Sequence, residues 1–153
     1  MRGFLSGWGI RILIIAVVIV GGLIFRDRLS SNASDLQVGD CFDQPKSASE
    51  TIEDVQHHPC TDAHTAEVIF VGNHSAASGA APLTESGILD FVGSTCLPAF
   101  AAYTGIDLLA DGTYDLGYIY PLDSDWSNGD RKVTCYTYRV DGATMTASLK
   151  KAP

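Results

Sequence analysis

Basic residues are few in this chain of 153 residues: 10 Lys and Arg stand against 18 Asp and Glu, a formal net charge of −8. A protein that holds nucleic acid presents a basic face to the phosphates, so charge argues against that class and no nucleic-acid partner is expected. No G-x-S-x-G, H-E-x-x-H or glycine-rich phosphate loop occurs, so the serine-hydrolase elbow, the zinc-protease helix and the nucleotide cradle all lack their motif. Cysteine is missing from the first 40 residues, and there is no internal repeat. Apolar residues nevertheless make up 46% of the chain, which excludes a wholly disordered protein.

The charges are unevenly spread. Residues 1–33 carry Arg2, Arg11, Arg26 and Arg28 against Asp27 alone, whereas residues 34–153 hold six basic residues against seventeen acidic ones. Within the leader, residues 12–25 read ILIIAVVIVGGLIF with no charge. Fourteen residues are short for a membrane span. Phe4, Leu5, Trp8 and Ile10 extend the apolar run, and a helix over residues 3–25 reaches about 34 Å, enough to cross hydrocarbon with some tilt. Arg11 and Trp8 then fall at an interface. The leader is read as an uncleaved membrane anchor: a tail over 1–11, a transmembrane core over 12–25 (the span beginning as early as residue 4) and a linker over 26–35. A cleaved signal peptide, with small residues Ser31-Asn32-Ala33 before Ser34, is the competing reading. Flanking charge leaves the orientation open. All four cysteines (Cys41, Cys60, Cys96 and Cys135) lie in the acidic part. Two disulfides in an oxidising compartment are therefore expected, with the N-terminus cytoplasmic and residues 36–153 an extracytoplasmic domain. Three pairings satisfy the count.

Hydrophobic patterning of that domain indicates an α+β fold: four or five mostly antiparallel strands and one kinked or broken helix. Short strands are expected at 36–42, 66–71, 114–120 and 132–140, with polar loops at 44–53 and 73–82. Ile88, Leu89, Val92, Cys96, Phe100 and Tyr103 recur at helical spacing, from an N-cap at Thr84 to a stop at Gly105. Pro98 should kink or split this helix. On the strand over 132–140, Val133, Cys135, Thr137 and Arg139 face one way and Thr134, Tyr136 and Tyr138 the other. Asp141-Gly142 signals a hairpin returning as a last strand over 144–149.

The order of short motifs resembles the septum formation domain of actinobacterial membrane-anchored envelope proteins. Val38-Gly39-Asp40-Cys41-Phe42 comes first; Pro59-Cys60 follows, with His64 and Glu67-Val68 behind it; the helical Cys96 and then Trp126-Ser127-Asn128-Gly129-Asp130-Arg131-Lys132-Val133-Thr134-Cys135 complete the order. The resemblance spans about residues 36–149. It implies a link to division or the cell envelope, and it implies the pairing Cys41–Cys60 and Cys96–Cys135.

Candidate chemistry is sparse. His64 and Glu67, with Asp62 nearby, suit an acid/base pair or a ligand site; the plainer alternative is a strand end with Glu67 solvated or paired to Arg131 or Arg139. His57, His58, Cys60 and His64 have metal-like spacing, but a disulfide is the better use of Cys60. Residues 123–130 carry oxygen donors and a glycine, yet they miss the spacing of an EF-hand loop, and Thr134 stands where the bidentate Glu belongs. A turn with Gly129 at positive φ, Trp126 on the core and Asp130 facing Arg131 or capping amides accounts for the same residues. The expected function is a tethered, non-catalytic interaction domain of the cell envelope, without cofactor or metal. It binds an envelope protein or cell-wall component through His64, Glu67, Trp126, Asp130 and Arg131. A cell-wall hydrolase using His64 and Glu67, and a sensor of a small ligand or metal, are the alternatives.

Overall fold

The computed structural model describes residues 30–44 and 54–152. The expected anchor over 12–25 lies outside them, as does all but the first residue of the loop expected at 44–53. No helix among the described residues is long and apolar enough to cross a membrane. In chain order the elements are β1 (Ser30–Asn32), a 3-10 turn (Ala33–Asp35), β2 (Cys41–Phe42), β3 (Asp54–His58), β4 (Ala66–Asn73), α1 (Glu85–Phe91), a π-helical turn (Val92–Cys96), α2 (Leu97–Thr104), α3 (Leu108–Asp111), β5 (Tyr114–Ile119), α4 (Asp123–Ser127) and β6 (Lys132–Arg139). The six strands form one sheet in the order β1-β3-β2-β4-β6-β5, and every pair is antiparallel. The α+β class, the antiparallel sheet and the two disulfides, Cys41–Cys60 and Cys96–Cys135, are as expected.

The broken helix follows from its sequence. Thr84 caps α1, its Oγ1 accepting from the Gly87 N–H at 3.2 Å. Pro98 has no N–H to return to the carbonyl four residues back, and its ring crowds that carbonyl. The backbone widens into the π turn just before it, and α2 then runs to Gly105 at φ 78°. Cys96 closes the π turn, fully buried, and bonds Cys135 at the middle of β6. The turn therefore presses on the sheet with Phe100, Ile69 and Val133 around it. On the other face Phe42, Val55, Ala66, Val68 and Tyr136 form a second cluster, where Phe42 meets Tyr136 edge-on at 5.3 Å. β6 alternates between the two as its pattern indicates: Val133 and Cys135 on the helical side, Tyr136 on the other. A bulge between Val68 and Phe70 brings Ile69 and Phe70 both onto the helical side.

Three expectations change. The hairpin at Asp141-Gly142 does not return as a strand, because β4 and β5 already occupy the two edges of β6. Residues 144–149 cross instead to the start of β4, where Met145 and His64 exchange backbone hydrogen bonds of 3.0 and 2.8 Å. At the other end, Ser30–Asn32 pairs with β3 and Ala33 is buried, so the sheet takes in the last residues of the expected linker. The strand expected over 36–42 shortens to Cys41–Phe42, because Gly39 turns the chain at φ 95°.

Candidate functional site

β4 and β6 hold the motif residues at two separate places. Glu67 pairs with Thr137 and Asn73 with Lys132; six residues of strand put these about 20 Å apart. His64 and Glu67 lie at the first place, Trp126, Asp130 and Arg131 at the second. The five residues expected to share a binding surface therefore do not form one patch.

At the first place Glu67 points to the helical side and is completely buried. Its carboxyl group meets neither Arg131 nor Arg139. The Tyr103 hydroxyl donates to Oε1 at 2.6 Å, the Ser148 hydroxyl donates to the same oxygen at 2.5 Å, and the Leu149 N–H donates to Oε2 at 2.7 Å. Tyr103 extends from α2, while Ser148 and Leu149 belong to the crossing C-terminal segment, which also returns the Lys151 N–H to the Tyr103 carbonyl at 3.0 Å. Burial and the bond to Glu67 push the Tyr103 hydroxyl up to about 12, with Ser148 acting in the opposite sense. It thus stays a donor throughout the neutral range. The carboxyl group fastens helix, sheet and chain end together. Tyr103 figured in the sequence only as the last residue of an apolar stripe; its polar tip at the end of that stripe is the signal that a buried acceptor waits beneath.

His64 is likewise fully buried. Its Nδ1 lies 2.8 Å from the Asp62 carbonyl; a carbonyl only accepts, so Nδ1 carries the proton and Nε2 presents a lone pair. That Nε2 has no hydrogen-bond partner among the described residues, a cost of about 1–3 kcal/mol for a buried polar atom. Ligand atoms of Cys41, His64 and Glu67 lie within 4.8 Å of one another. Cys41 is oxidised onto Cys60, so His64 and Glu67 alone remain as donors, two short of a closed zinc site. The other histidines do not join them: His58 Nε2 meets Asp43 at 3.0 Å, and buried His57 lies 4.0 Å from Asp40.

At the second place the expected turn forms. Gly129 has φ 101°, Trp126 is buried and Asp130 accepts from the Lys132 N–H at 2.9 Å. Of residues 123–130, weighed as a cation loop, 123–127 are the helix α4. Arg131 is buried and stacks on Trp126, 4.1 Å from the ring centre. Its guanidinium donates to the carbonyls of Trp126, Asp130, Ala76 and Ala77. Trp126 donates to the Ala80 carbonyl at 2.9 Å. These contacts pin the loop that follows β4. Where this loop meets the π turn, an open recess of about 440 Å³ is lined by Phe70, His74, Phe91, Asp90, Ser94 and Thr95. His74 stands between Phe91 and Trp126, with ring centres 5.3 and 5.6 Å away.

A small α+β domain stapled by two disulfides, with its conspicuous acid/base residues locked inside and its Trp126–Arg131 turn spent on pinning a loop, is the class of protein these features define. The chain belongs to the septum formation family, whose family model matches residues 38–151. Neither the curated proteins nor the solved structures contain a match to the chain. The family carries an association with septum formation, hence with division.

Proposed function

We propose that this protein is a membrane-tethered, extracytoplasmic interaction domain that serves division by binding a protein or cell-wall partner without catalysing a reaction. The observation that supports it most directly is the burial of both His64 and Glu67, each 0% exposed. A hydrolase needs its acid and base within reach of a substrate, and here the acid is consumed by three internal donors. The open recess beside the π turn, lined by aromatic rings together with hydroxyl and carboxyl groups, is the better place for a partner. Four paired cysteines favour an oxidising compartment, and the apolar leader supplies the tether.

Photocrosslinking in the native membrane tests this reading. A crosslinking side chain replaces exposed Ser94 at the recess or, as the control, Leu109 on α3, which is 82% exposed. A discrete adduct from position 94 and none from position 109 is the expected result. The same adducts from both positions, or a loss of enzymatic cell-wall turnover in Glu67→Gln cells with the folded domain retained, would overturn it. Added protease reaching residues 36–153 in intact cells checks the orientation.

A further inference from the structure

We propose that the buried cluster at the start of β4 is a redox-gated site for a thiophilic divalent cation such as zinc: closed while Cys41 and Cys60 are joined, complete when they are reduced. The proposal does not depend on the identity of the partner. It rests on His64. An imidazole whose Nδ1–H is tied to a backbone carbonyl, with a bare Nε2, is the form in which histidine ligates metals. In the oxidised chain that nitrogen is fully buried and no described residue donates to it. Glu67, beside it, receives one donor on Oε2, which leaves that oxygen a further acceptor position. Cys41 Sγ lies within the same 4.8 Å group, and Cys60 Sγ is bonded to it. Cys41, Cys60, His64 and Glu67 together supply two sulfurs, a nitrogen and an oxygen, a donor set and number suited to tetrahedral zinc. Only the disulfide bond withholds it.

The gate opens by thiol–disulfide exchange with an external dithiol. A thiolate of the dithiol attacks the Sγ of Cys60, the more exposed residue of the pair, and Cys41 leaves as a thiolate. The second thiol of the dithiol then displaces Cys60 and closes its own disulfide, so over the two steps two S–S bonds form, two break, and two electrons pass from the dithiol to the protein. The cation takes both thiolates, His64 Nε2 and a Glu67 oxygen, and the two thiol protons pass to solvent.

The test uses the full chain in detergent, oxidised or reduced with a dithiol without air, and titrated with cobalt(II) and then zinc. Reduced protein should bind one cobalt ion per chain with thiolate charge-transfer and tetrahedral d–d absorption, while oxidised protein shows neither. Zinc should slow alkylation of Cys41 and Cys60 at least tenfold, read by peptide mass spectrometry, and leave Cys96 and Cys135 unprotected. His64→Gln should weaken zinc binding at least tenfold. The proposal is overturned if the reduced chain binds no metal, if protection falls on Cys96 and Cys135 instead, or if a folded His64→Gln chain binds as tightly as the wild type. The alkylation pattern is read on the wild-type protein and decides the matter should the variant not fold.

Discussion

Replacing Tyr103 with Phe removes a single oxygen from the middle of the Glu67 fastening. The ring stays to pack beneath α2, so no large cavity opens. What is lost is a 2.6 Å hydrogen bond to a fully buried carboxyl oxygen. Hydrogen bonds to such groups are worth about 1.5–3 kcal/mol. In a chain of this size each kcal/mol moves the melting temperature by roughly 4 °C, so Tyr103→Phe should melt roughly 6–12 °C lower. The same bond gives a signature in alkali. The folded protein holds the Tyr103 proton more tightly than the unfolded chain, up to about 12 against the ordinary 10.0. Stability from this group is therefore complete below pH 10 and is lost as the pH rises towards 12. Tyr136, raised to about 12 chiefly by its burial, acts in the same sense. The variant should keep the Tyr136 share of the alkaline loss and shed the Tyr103 share. Urea unfolding followed by circular dichroism at pH 7 and at pH 11 measures both quantities. A melting temperature within about 2 °C of wild type, or an unchanged alkaline slope, would refute the view that Glu67 is a structural fastening.

Three other outcomes are expected. Removing Cys96–Cys135 (39 residues apart) should cost about 3.9 kcal/mol and removing Cys41–Cys60 (19 apart) about 3.3 kcal/mol from chain entropy, compared by urea midpoints; a larger loss for the second pair would contradict the loop-length argument. Arg131→Lys keeps the charge but loses the fork that spans four carbonyls, so it should cost about 2–3 kcal/mol and speed proteolytic nicking within residues 74–82; unchanged nicking would show that the loop is held otherwise. Gly117→Ala places a methyl 2.1 Å from the Tyr136 ring on the neighbouring strand and should destabilise by about 1–3 kcal/mol, with the buried Tyr136 absorption shifted to the blue as its ring is pushed towards solvent; a neutral variant would mean that the ring moves aside freely.

The helix, its cap, its break and the alternation of β6 were legible because each rests on nearby residues: Thr84 on Gly87, Pro98 on the turn before it, Val133 and Tyr136 on the pleat. The fate of Glu67 was not. Its donors come from residues 103, 148 and 149, and nothing local to residue 67 distinguishes a strand end that meets water from one covered by a distant segment. The last strand failed for the same reason. Asp141-Gly142 does turn the chain, the Gly142 N–H reaching the Arg139 carbonyl at 3.1 Å, but whether the returning segment finds a free edge depends on β4 and β5. Arg139 spends its guanidinium on Asp141 two residues away and Arg131 on four carbonyls, so the expected pairing of Glu67 with either arginine does not form. The disulfide pairing was reached through family likeness rather than arithmetic, since three pairings satisfied the count.

The strand that completes the sheet is also the last one made. β4 leaves the ribosome some sixty residues ahead of β6, its neighbour on one side, and until then it carries an open, apolar rim that invites other chains. Cys41 and Cys60 can meet as soon as residue 60 has emerged, whereas Cys96 must wait for Cys135. Order of emergence lets Cys41–Cys60 close ahead of Cys96–Cys135, and a helper that shields half-made β4 would be needed only until the final strand arrives.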